Sequence, residues 1–358
     1  MCKRFVVVMF LVLLLSGIIL QTGCSSTQSV SSTAAFRYDQ TAFSKAKPWT
    51  SEAFKNHPEE FQFAVIGDRT GGSDPGGIFN RAMDQLNLLQ PEFVINVGDL
   101  VEGYAEDKAN AMAQWDEMDE IIDALEMPFF YVLGNHDMGN DIMKEVWTER
   151  RGAAYYHFLY NDVLFLVFNS EDPSNPVPKD IKEKTIAFKK LQQEDPAAAQ
   201  ALLKEFMESL DEYKKPMVMS DKQLDYFKKV LADNPDVRWT FVFFHQPDWE
   251  HEPLGEAFSA IEQMVQGRPH TFIAGHLHYY DFEKRNGIDY ITMGPVGASW
   301  HKNGGGNVDH ILWVTMKKDG PEIAQITLDG IWDRKGRDLK LKEVYERTAK
   351  TEGVYNEP

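Results

Sequence analysis

Five apolar segments of the chain are followed by polar residues, either directly or after a glycine. Each segment is predominantly apolar rather than alternating, which is typical of a strand that is buried on both faces. In open α/β sheets, ligands bind beyond the carboxyl ends of the strands. The pattern therefore predicts one site, built where five strands end. The segments and the polar residues that follow them are Phe63–Ile66 with Asp68, Phe93–Val97 with Asp99, Phe129–Leu133 with Asn135, His136 and Asp137, Trp239–Phe244 with His245, and His270–Ala274 with His276 and His278.

Helical segments and further strands separate these five segments. Ser220 or Asp221 is expected to cap one helix, because short polar side chains accept hydrogen bonds from the first helical turn. Asn161-Asp162 lies between two apolar segments and predicts a β-hairpin. The predicted helices are Phe79–Leu89, Ala109–Leu125, Met143–Arg150 and Leu224–Leu231, and the further predicted strands are Tyr155–Leu159, Val163–Asn169, Tyr290–Met293, His310–Met316 and Ile323–Leu328.

The alternation of strands and helices predicts a single α/β domain over residues 49–334. Residues 179–213 are rich in Ala, Lys, Glu and Leu and lack β-branched runs, so we expect a helical insertion whose two arms meet at Pro196. Residues 335–358 form a charged C-terminal tail.

The N-terminus carries the pattern of an export signal. Lys3 and Arg4 precede a long apolar segment, and small residues lead to Cys24. This arrangement resembles a bacterial lipoprotein signal over residues 1–23, which would place a lipid on Cys24 and anchor the exported protein to the cell envelope, as a periplasmic or outer-membrane lipoprotein. The alternative is a retained transmembrane anchor, for which the apolar segment is near the lower length limit. Residues 24–48 are poor in apolar periodicity and are predicted to form a flexible tether.

Charge and cysteine content narrow the possible functions. The formal net charge of the 358 residues is −18, which makes unaided binding of nucleic acid or an anionic membrane surface unfavourable. Carboxylates can still create a local cation site. The two cysteines, Cys2 and Cys24, both lie at the N-terminus, so neither a disulfide within the domain nor a cysteine-rich zinc site is possible.

The strand-end motifs, taken together, resemble the calcineurin-like metallophosphoesterase family. Their order, spacing and strand context agree from about Phe61 to Met316. The resemblance implies a four-layer α/β/β/α sandwich, in which two mixed β-sheets pack face to face with helices on the outside. It also implies a site for two divalent metal ions at one end. The motifs are Gly67-Asp68, Gly98-Asp99, Gly134-Asn135-His136-Asp137, His245 and Gly275-His276-Leu277-His278.

The resemblance implies a role for each of these aspartate, asparagine and histidine residues except Asp137. Asp99 bridges the two metals, and His136 faces the substrate. One metal is held by Asn135, His245 and His276, and the other by Asp68 and His278. The sequence departs from the family at its first motif, Asp-any-His, which reads Asp68-Arg69-Thr70 here and lacks the metal-binding histidine.

The chemistry of such a site follows from its ligands. Mixed nitrogen and oxygen ligands suit Mn, Fe or Zn. Two such cations activate a bridging hydroxide for attack on phosphorus, and His136 can protonate the leaving oxygen as a general acid. Asn135 is also a candidate substrate contact, and Arg69 could either hold a phosphate oxygen or form a surface salt bridge. We therefore expect hydrolysis of small-molecule phosphomonoesters or phosphodiesters. The alternative is a phosphate-binding or scaffolding lipoprotein with a degenerate, partly metallated site.

Glu102 lies three residues after Asp99, and its role is open. Purple acid phosphatases, a related group, also lack the histidine of the first motif and place a tyrosine ligand at this spacing, so Glu102 could complete the metal that Asp68 and His278 hold. In the protein phosphatases an acid at this spacing orients the catalytic histidine, which would be His136 here. A third possibility is a surface glutamate. The replacement at Thr70 favours the metal role.

Overall fold

The computed structural model describes residues 35–43, 45–54, 60–70, 74, 77–172, 179–195, 197–199, 201–202, 216–251, 253–300, 306–328 and 330. The strands in these residues are β1 (Phe36–Arg37), β2 (Phe61–Ile66), β3 (Phe93–Asn96), β4 (Phe129–Phe130), β5 (Tyr156–Tyr160), β6 (Val163–Val167), β7 (Glu171–Asp172), β8 (Val218–Met219), β9 (Trp239–Phe243), β10 (His270–Ala274), β11 (Asp281–Arg285), β12 (Ile288–Thr292), β13 (His310–Lys317) and β14 (Gly320–Thr327). The α-helices are α1 (Ile78–Leu89), α2 (Lys108–Ile122), α3 (Asp141–Arg151), α4 (Lys179–Glu194), α5 (Asp221–Asp233) and α6 (Glu256–Val265).

Two mixed sheets contain most of these strands. One has the order β14-β13-β2-β3-β4, and the other has the order β1-β5-β6-β9-β10-β12-β11. Strands β2, β3 and β4 are mutually parallel, as are β6, β9, β10 and β12. Parallel neighbouring strands end at the same edge of a sheet. In each sheet, the turns that follow these strands and carry the predicted site residues therefore lie on one side. The short strands β7 and β8 form a separate parallel pair.

Aromatic side chains fill the space between the two sheets. The ring of Phe63 on β2 lies 5.1 Å from Phe93 in its own sheet, and 5.3 Å and 5.0 Å from Phe165 and Phe241 in the facing sheet. All four rings are fully buried, and burying each contributes about 1.5–3 kcal/mol. This packing fixes the position of the strand ends of one sheet relative to those of the other. A site that uses residues from both sheets requires this.

Helices cover the outer face of each sheet. Ala64 and Ile66 alternate with the inward residues of β2 and pack in a cluster with residues of α1, α2 and α3. On the second sheet, Leu164 and Val242 pack with residues of α5 and α6. The predicted sandwich of two mixed sheets between helical layers is therefore confirmed. The Ser220 side chain accepts a hydrogen bond from the Gln223 N–H and caps α5, as predicted.

Strand β4 is shorter than the predicted segment Phe129–Leu133. The backbone N–H of Tyr131 donates to the Pro48 carbonyl at 2.9 Å, and that of Val132 donates to Oδ1 of Asn96 at 2.6 Å. Because these bonds replace those of a regular ladder, the last residues before the turn are fixed by a side chain and by an N-terminal segment instead.

The folded domain begins earlier than residue 49. Phe36 pairs with Tyr160 in β5 and is fully buried, and Tyr38 is also buried. The predicted tether therefore overlaps the domain from residue 35 onward, because its few aromatic residues fill the edge of the core. Residues 1–34, with Cys24, and residues 331–358 lie outside the described part of the chain.

Helix α4 occupies the first part of the predicted insertion, whereas Pro196 and residues 203–213 lie outside the described residues. In the part of the chain that the structure describes, no helix has the length and apolar character needed to cross a membrane.

Candidate metal centre

The five predicted strand ends meet at one edge of the two sheets. Two groups of side chains there have ligand atoms within 4.8 Å of one another. The first contains Asp99, His245 and His276, and the second contains Asp68, Asp99 and His278. Asp99 is common to both groups, so five of the predicted metal ligands are brought together as two adjoining sets: Asp68, Asp99, His245, His276 and His278.

Atoms with lone pairs converge in the first set. Nε2 of His245 lies 3.2 Å from Oδ2 of Asp99, 3.1 Å from Nδ1 of His276 and 3.0 Å from Oδ1 of Asn135. The opposite nitrogen of His245, Nδ1, is 2.8 Å from the Val97 carbonyl. A carbonyl only accepts, so Nδ1 carries the hydrogen and Nε2 presents its lone pair to the set. Such a backbone partner is typical of metal-binding histidines.

The pKa shifts of the residues in the first set indicate that the site favours a bound positive charge. Burial alone would lower the pKa of His245, but the Asp99 carboxylate raises it to about 10. Burial likewise opposes ionisation of Asp99, yet the charge of His245 holds its pKa well below the usual range. Burial and His245 together lower the pKa of His276 well below its ordinary value. The buried carboxylate of Asp99 thus stabilises positive charge beside it.

The second set also fits a cation. Nε2 of His278 is 3.3 Å from Oδ2 of Asp68, and its Nδ1–H donates to the Ser299 carbonyl at 2.7 Å. The fully buried Oδ1 of Asp68 has no hydrogen-bond partner among the described residues, and neither has the buried hydroxyl of Thr70. A buried carboxylate oxygen without a partner is costly, and a bound metal ion would remove that cost.

The turns leave no room for larger residues. A Cβ on Gly134 would lie 2.2 Å from Oδ1 of Asp99, and one on Gly275 would lie 2.3 Å from Oδ1 of Asp68. Asp99 itself has a φ of 55°, a left-handed conformation that is uncommon outside glycine and that clusters at functional sites. Gly134 and Gly275 therefore allow the turns to approach the carboxylates of Asp99 and Asp68 closely.

His136 lies at the open side of Asp99. Its Nδ1–H donates to the backbone carbonyl of Glu102 at 2.7 Å, so its Nε2 faces Asp99 and lies 4.0 Å from Oδ2. The backbone N–H of His136 donates to Oδ1 of Asp99 at 2.8 Å. The imidazole is partly exposed, which suits a group that meets a substrate.

Two predicted site residues have other contacts. The carboxylate of Glu102 belongs to neither ligand set, and its backbone carbonyl accepts a hydrogen bond from Nδ1–H of His136. The guanidinium of Arg69 forms an ion pair with Glu117 at 2.8 Å and lies 4.0 Å from Asp74. The metal role of Glu102 and the substrate role of Arg69 stay predictions.

Three further residues near the site have contacts that their sequence context did not predict. Asp137 accepts backbone hydrogen bonds from the turn that carries Asp99. Tyr104 accepts a hydrogen bond from Asn135. Glu171 accepts one from Gln246, next to His245, and burial is the main cause that raises its pKa. A signal for Glu171 was present, because polar residues also follow the apolar segment of β6.

The chain matches one protein family over most of its length. The family described as calcineurin-like phosphoesterase matches residues 61–294. The chain belongs to this family. It is a phosphoesterase, and the family together with the two ligand sets indicates that this calcineurin-like phosphoesterase binds divalent metal and acts on phosphoesters.

Solved structures of low sequence identity resemble this calcineurin-like phosphoesterase. A dimetal phosphatase from Danio rerio is 15% identical, with 75% of this chain and 99% of that chain covered and a TM-score of 0.49. GAP50, the anchor in the inner membrane complex of Plasmodium, is 15% identical, with 81% and 95% covered and a TM-score of 0.49. A putative 5'-nucleotidase from Staphylococcus aureus is 12% identical, with 81% and 58% covered and a TM-score of 0.45. No curated protein matches the sequence.

Proposed function

We propose that this phosphoesterase hydrolyses phosphomonoesters or phosphodiesters at a dinuclear metal site bridged by Asp99. The observation that carries the proposal is that Asp99 belongs to both ligand sets. A single carboxylate shared by two sets of nitrogen and oxygen ligands is the arrangement that a pair of neighbouring cations needs.

The residues of the two sets would divide the metals between them. Asn135, His245 and His276 would hold one ion, and Asp68 and His278 would hold the other. Nitrogen and oxygen ligands without thiolates favour Mn, Fe or Zn. When bound, the ions would lower the pKa of a water molecule and offset the negative charge of the phosphoryl group.

His136 would supply the proton for the leaving oxygen. The Glu102 carbonyl holds its Nδ1–H, so Nε2 is the nitrogen left to face the substrate. Correct orientation of the imidazole before substrate binds is what general acid catalysis requires. A non-catalytic phosphate-binding lipoprotein is favoured only by the replacement at Thr70, and such a protein would not need His136 aimed in this way.

Hydrolysis of generic substrates tests the proposal. We expect the wild type to hydrolyse nitrophenyl phosphate, bis(nitrophenyl) phosphate or both with added Mn²⁺, and Asp99→Ala to abolish the activity. Asp225→Ala removes an exposed carboxylate of α5 and should have no effect. If Asp99→Ala keeps more than about a tenth of the rate, which corresponds to only about 1.4 kcal/mol of barrier, the dinuclear account is wrong.

We also propose that the protein is exported and held to the bacterial cell envelope by a lipid on Cys24. The charged start, apolar segment and small residues before Cys24 support this proposal. Cys24→Ser should move the protein from the membrane fraction to the soluble fraction. An unchanged distribution would contradict the lipid anchor.

A further inference from the structure

Tyr104 is fixed in position by an unusual turn beside the metal centre. Its φ is 47° and that of Gly103 is 70°, so two consecutive residues have left-handed backbone. A Cβ on Gly103 would lie 2.0 Å from the carbonyl oxygen of His136, and one on Gly139 would lie 2.2 Å from the Tyr104 ring. Because a tyrosine seldom adopts this conformation without compensation, the surrounding packing imposes it.

In this turn the side chain of Tyr104 contacts two residues of the site. Its ring lies edge-on to the imidazole of His136, with centroids 5.1 Å apart and an interplanar angle of 74°. Its hydroxyl oxygen accepts a hydrogen bond from Nδ2 of Asn135 at 3.2 Å. Tyr104 therefore contacts both the proposed general acid and a proposed metal ligand.

The hydrogen bond to Asn135 defines the direction of both groups. With Nδ2 of Asn135 directed at Tyr104, Oδ1 faces Nε2 of His245 at 3.0 Å, where the first ligand set lies. Because the oxygen of Tyr104 uses a lone pair to accept, its own O–H bond is directed away from Asn135. The hydroxyl of Tyr104 thus lies in contact with Asn135 and next to His136, beside the two ligand sets.

We propose that Tyr104 contacts the substrate, and that its hydroxyl donates a hydrogen bond to a non-bridging oxygen of the phosphoryl group. The inference rests on the proposed function and adds a catalytic residue to it. Negative charge on the phosphoryl oxygens is stabilised by fixed donors, and a donor that is oriented beforehand does this without reorganisation. The packing of Gly139 against the ring supplies that orientation.

Removal of the hydroxyl alone tests the inference. Tyr104→Phe keeps the ring against His136 and Gly139, so the fold and the metal content should be unchanged. We expect Mn²⁺-loaded Tyr104→Phe to bind inorganic phosphate about tenfold more weakly in calorimetry. The kcat for nitrophenyl phosphate should fall by a similar or larger factor. Tyr226→Phe is the matched control, because it removes a hydroxyl on α5 that contacts Nδ1 of His157 in β5, and neither residue belongs to a ligand set.

The outcomes separate this inference from the proposed function. Unchanged phosphate affinity and unchanged kcat in Tyr104→Phe, with an active wild type, would overturn the role of Tyr104 alone. Loss of metal with normal phosphate affinity per loaded site would also overturn it, since Tyr104 would then act only through Asn135. If the wild type binds phosphate through Tyr104 but hydrolyses no ester, the proposed function fails and the contact stands.

Discussion

The carboxylate of Asp137 accepts a hydrogen bond from the backbone N–H of Asp99 at 2.8 Å. It also accepts from the N–H groups of Leu100 at 3.0 Å and Gly134 at 2.9 Å. Asp137 thereby joins the turn that follows β3 to the turn that follows β4, and it holds Asp99 in its left-handed conformation. Burial is the main cause, with the charge of Asp99, that raises the pKa of Asp137 to about 7.

Asp137→Asn should weaken both the fold and the metal centre. An amide nitrogen would face backbone N–H groups, so at least one buried donor would lose its acceptor. We expect a loss of about 1–3 kcal/mol in the free energy of unfolding and a lower affinity for Mn²⁺, measured by urea unfolding and equilibrium dialysis.

Asp248→Asn provides the control for this prediction. Asp248 is also buried and accepts two backbone hydrogen bonds, from Met217 at 2.8 Å and Gly255 at 3.1 Å, and it belongs to neither ligand set. Its substitution should reduce stability and leave metal affinity unchanged. If Asp137→Asn binds Mn²⁺ as tightly as Asp248→Asn does, Asp137 does not position Asp99 for metal binding.

His136→Ala should affect substrates according to their leaving groups. Esters with poor leaving groups need a proton on the departing oxygen, whereas nitrophenyl esters do not. We expect a loss of about 10²- to 10⁴-fold for alkyl esters and a much smaller loss for nitrophenyl esters, from steady-state kinetics on both. An equal loss on the two classes would remove His136 from the role of general acid.

Glu102→Gln distinguishes the proposed metal role from an orienting role. If the carboxylate completes the metal held by Asp68 and His278, the variant should lose about one ion per chain. The backbone carbonyl that orients His136 is kept in the variant, so the leaving-group dependence should not change. Retention of all bound metal would refute the metal role, and an altered leaving-group dependence would then assign the Glu102 side chain to orienting His136.

The fold was largely predictable because its central strands are buried on both faces. Apolar segments such as β9 and β10 stand out against their flanking turns. The edge strand β11, Asp281–Arg285, was missed because its residues are mostly polar and exposed and carry no apolar pattern. Strand β1 was missed because two residues are too few to show a period, although Phe36 is fully buried.

The convergence of the proposed metal ligands could be predicted from the sequence where these residues directly follow strands. Asp68, His245 and His278 needed only the positions of the strand ends. Tyr104 could not be found in this way, because its place depends on two consecutive left-handed residues and on packing against Gly139. Such a turn has no signature in the order of apolar and polar residues.

His310 should make the fold sensitive to acid. It is fully buried, and its Nε2 accepts a hydrogen bond from the Gly294 N–H at 3.0 Å. Burial lowers its pKa from 6.5 to about 3. Between these values the unfolded chain binds a proton that the folded chain does not, so stability falls as the pH falls, by up to about 1.4 kcal/mol per pH unit.

Urea unfolding at a series of pH values measures this effect. His310→Gln should flatten the dependence of the unfolding free energy on pH between about 6.5 and 4, even if the variant is less stable throughout. His157, whose burial lowers its pKa to about 4, should keep contributing a slope of its own. Parallel curves for the wild type and His310→Gln would contradict the prediction.

The number of metal ions per chain tests the central claim most directly. Purified wild type and Asp99→Asn, each dialysed against Mn²⁺, would be analysed for metal and for protein. Because Asp99 belongs to both ligand sets, the account predicts about two ions per wild-type chain and fewer than about one in the variant. One ion in the wild type, or two retained by Asp99→Asn, would contradict a dinuclear site bridged by Asp99.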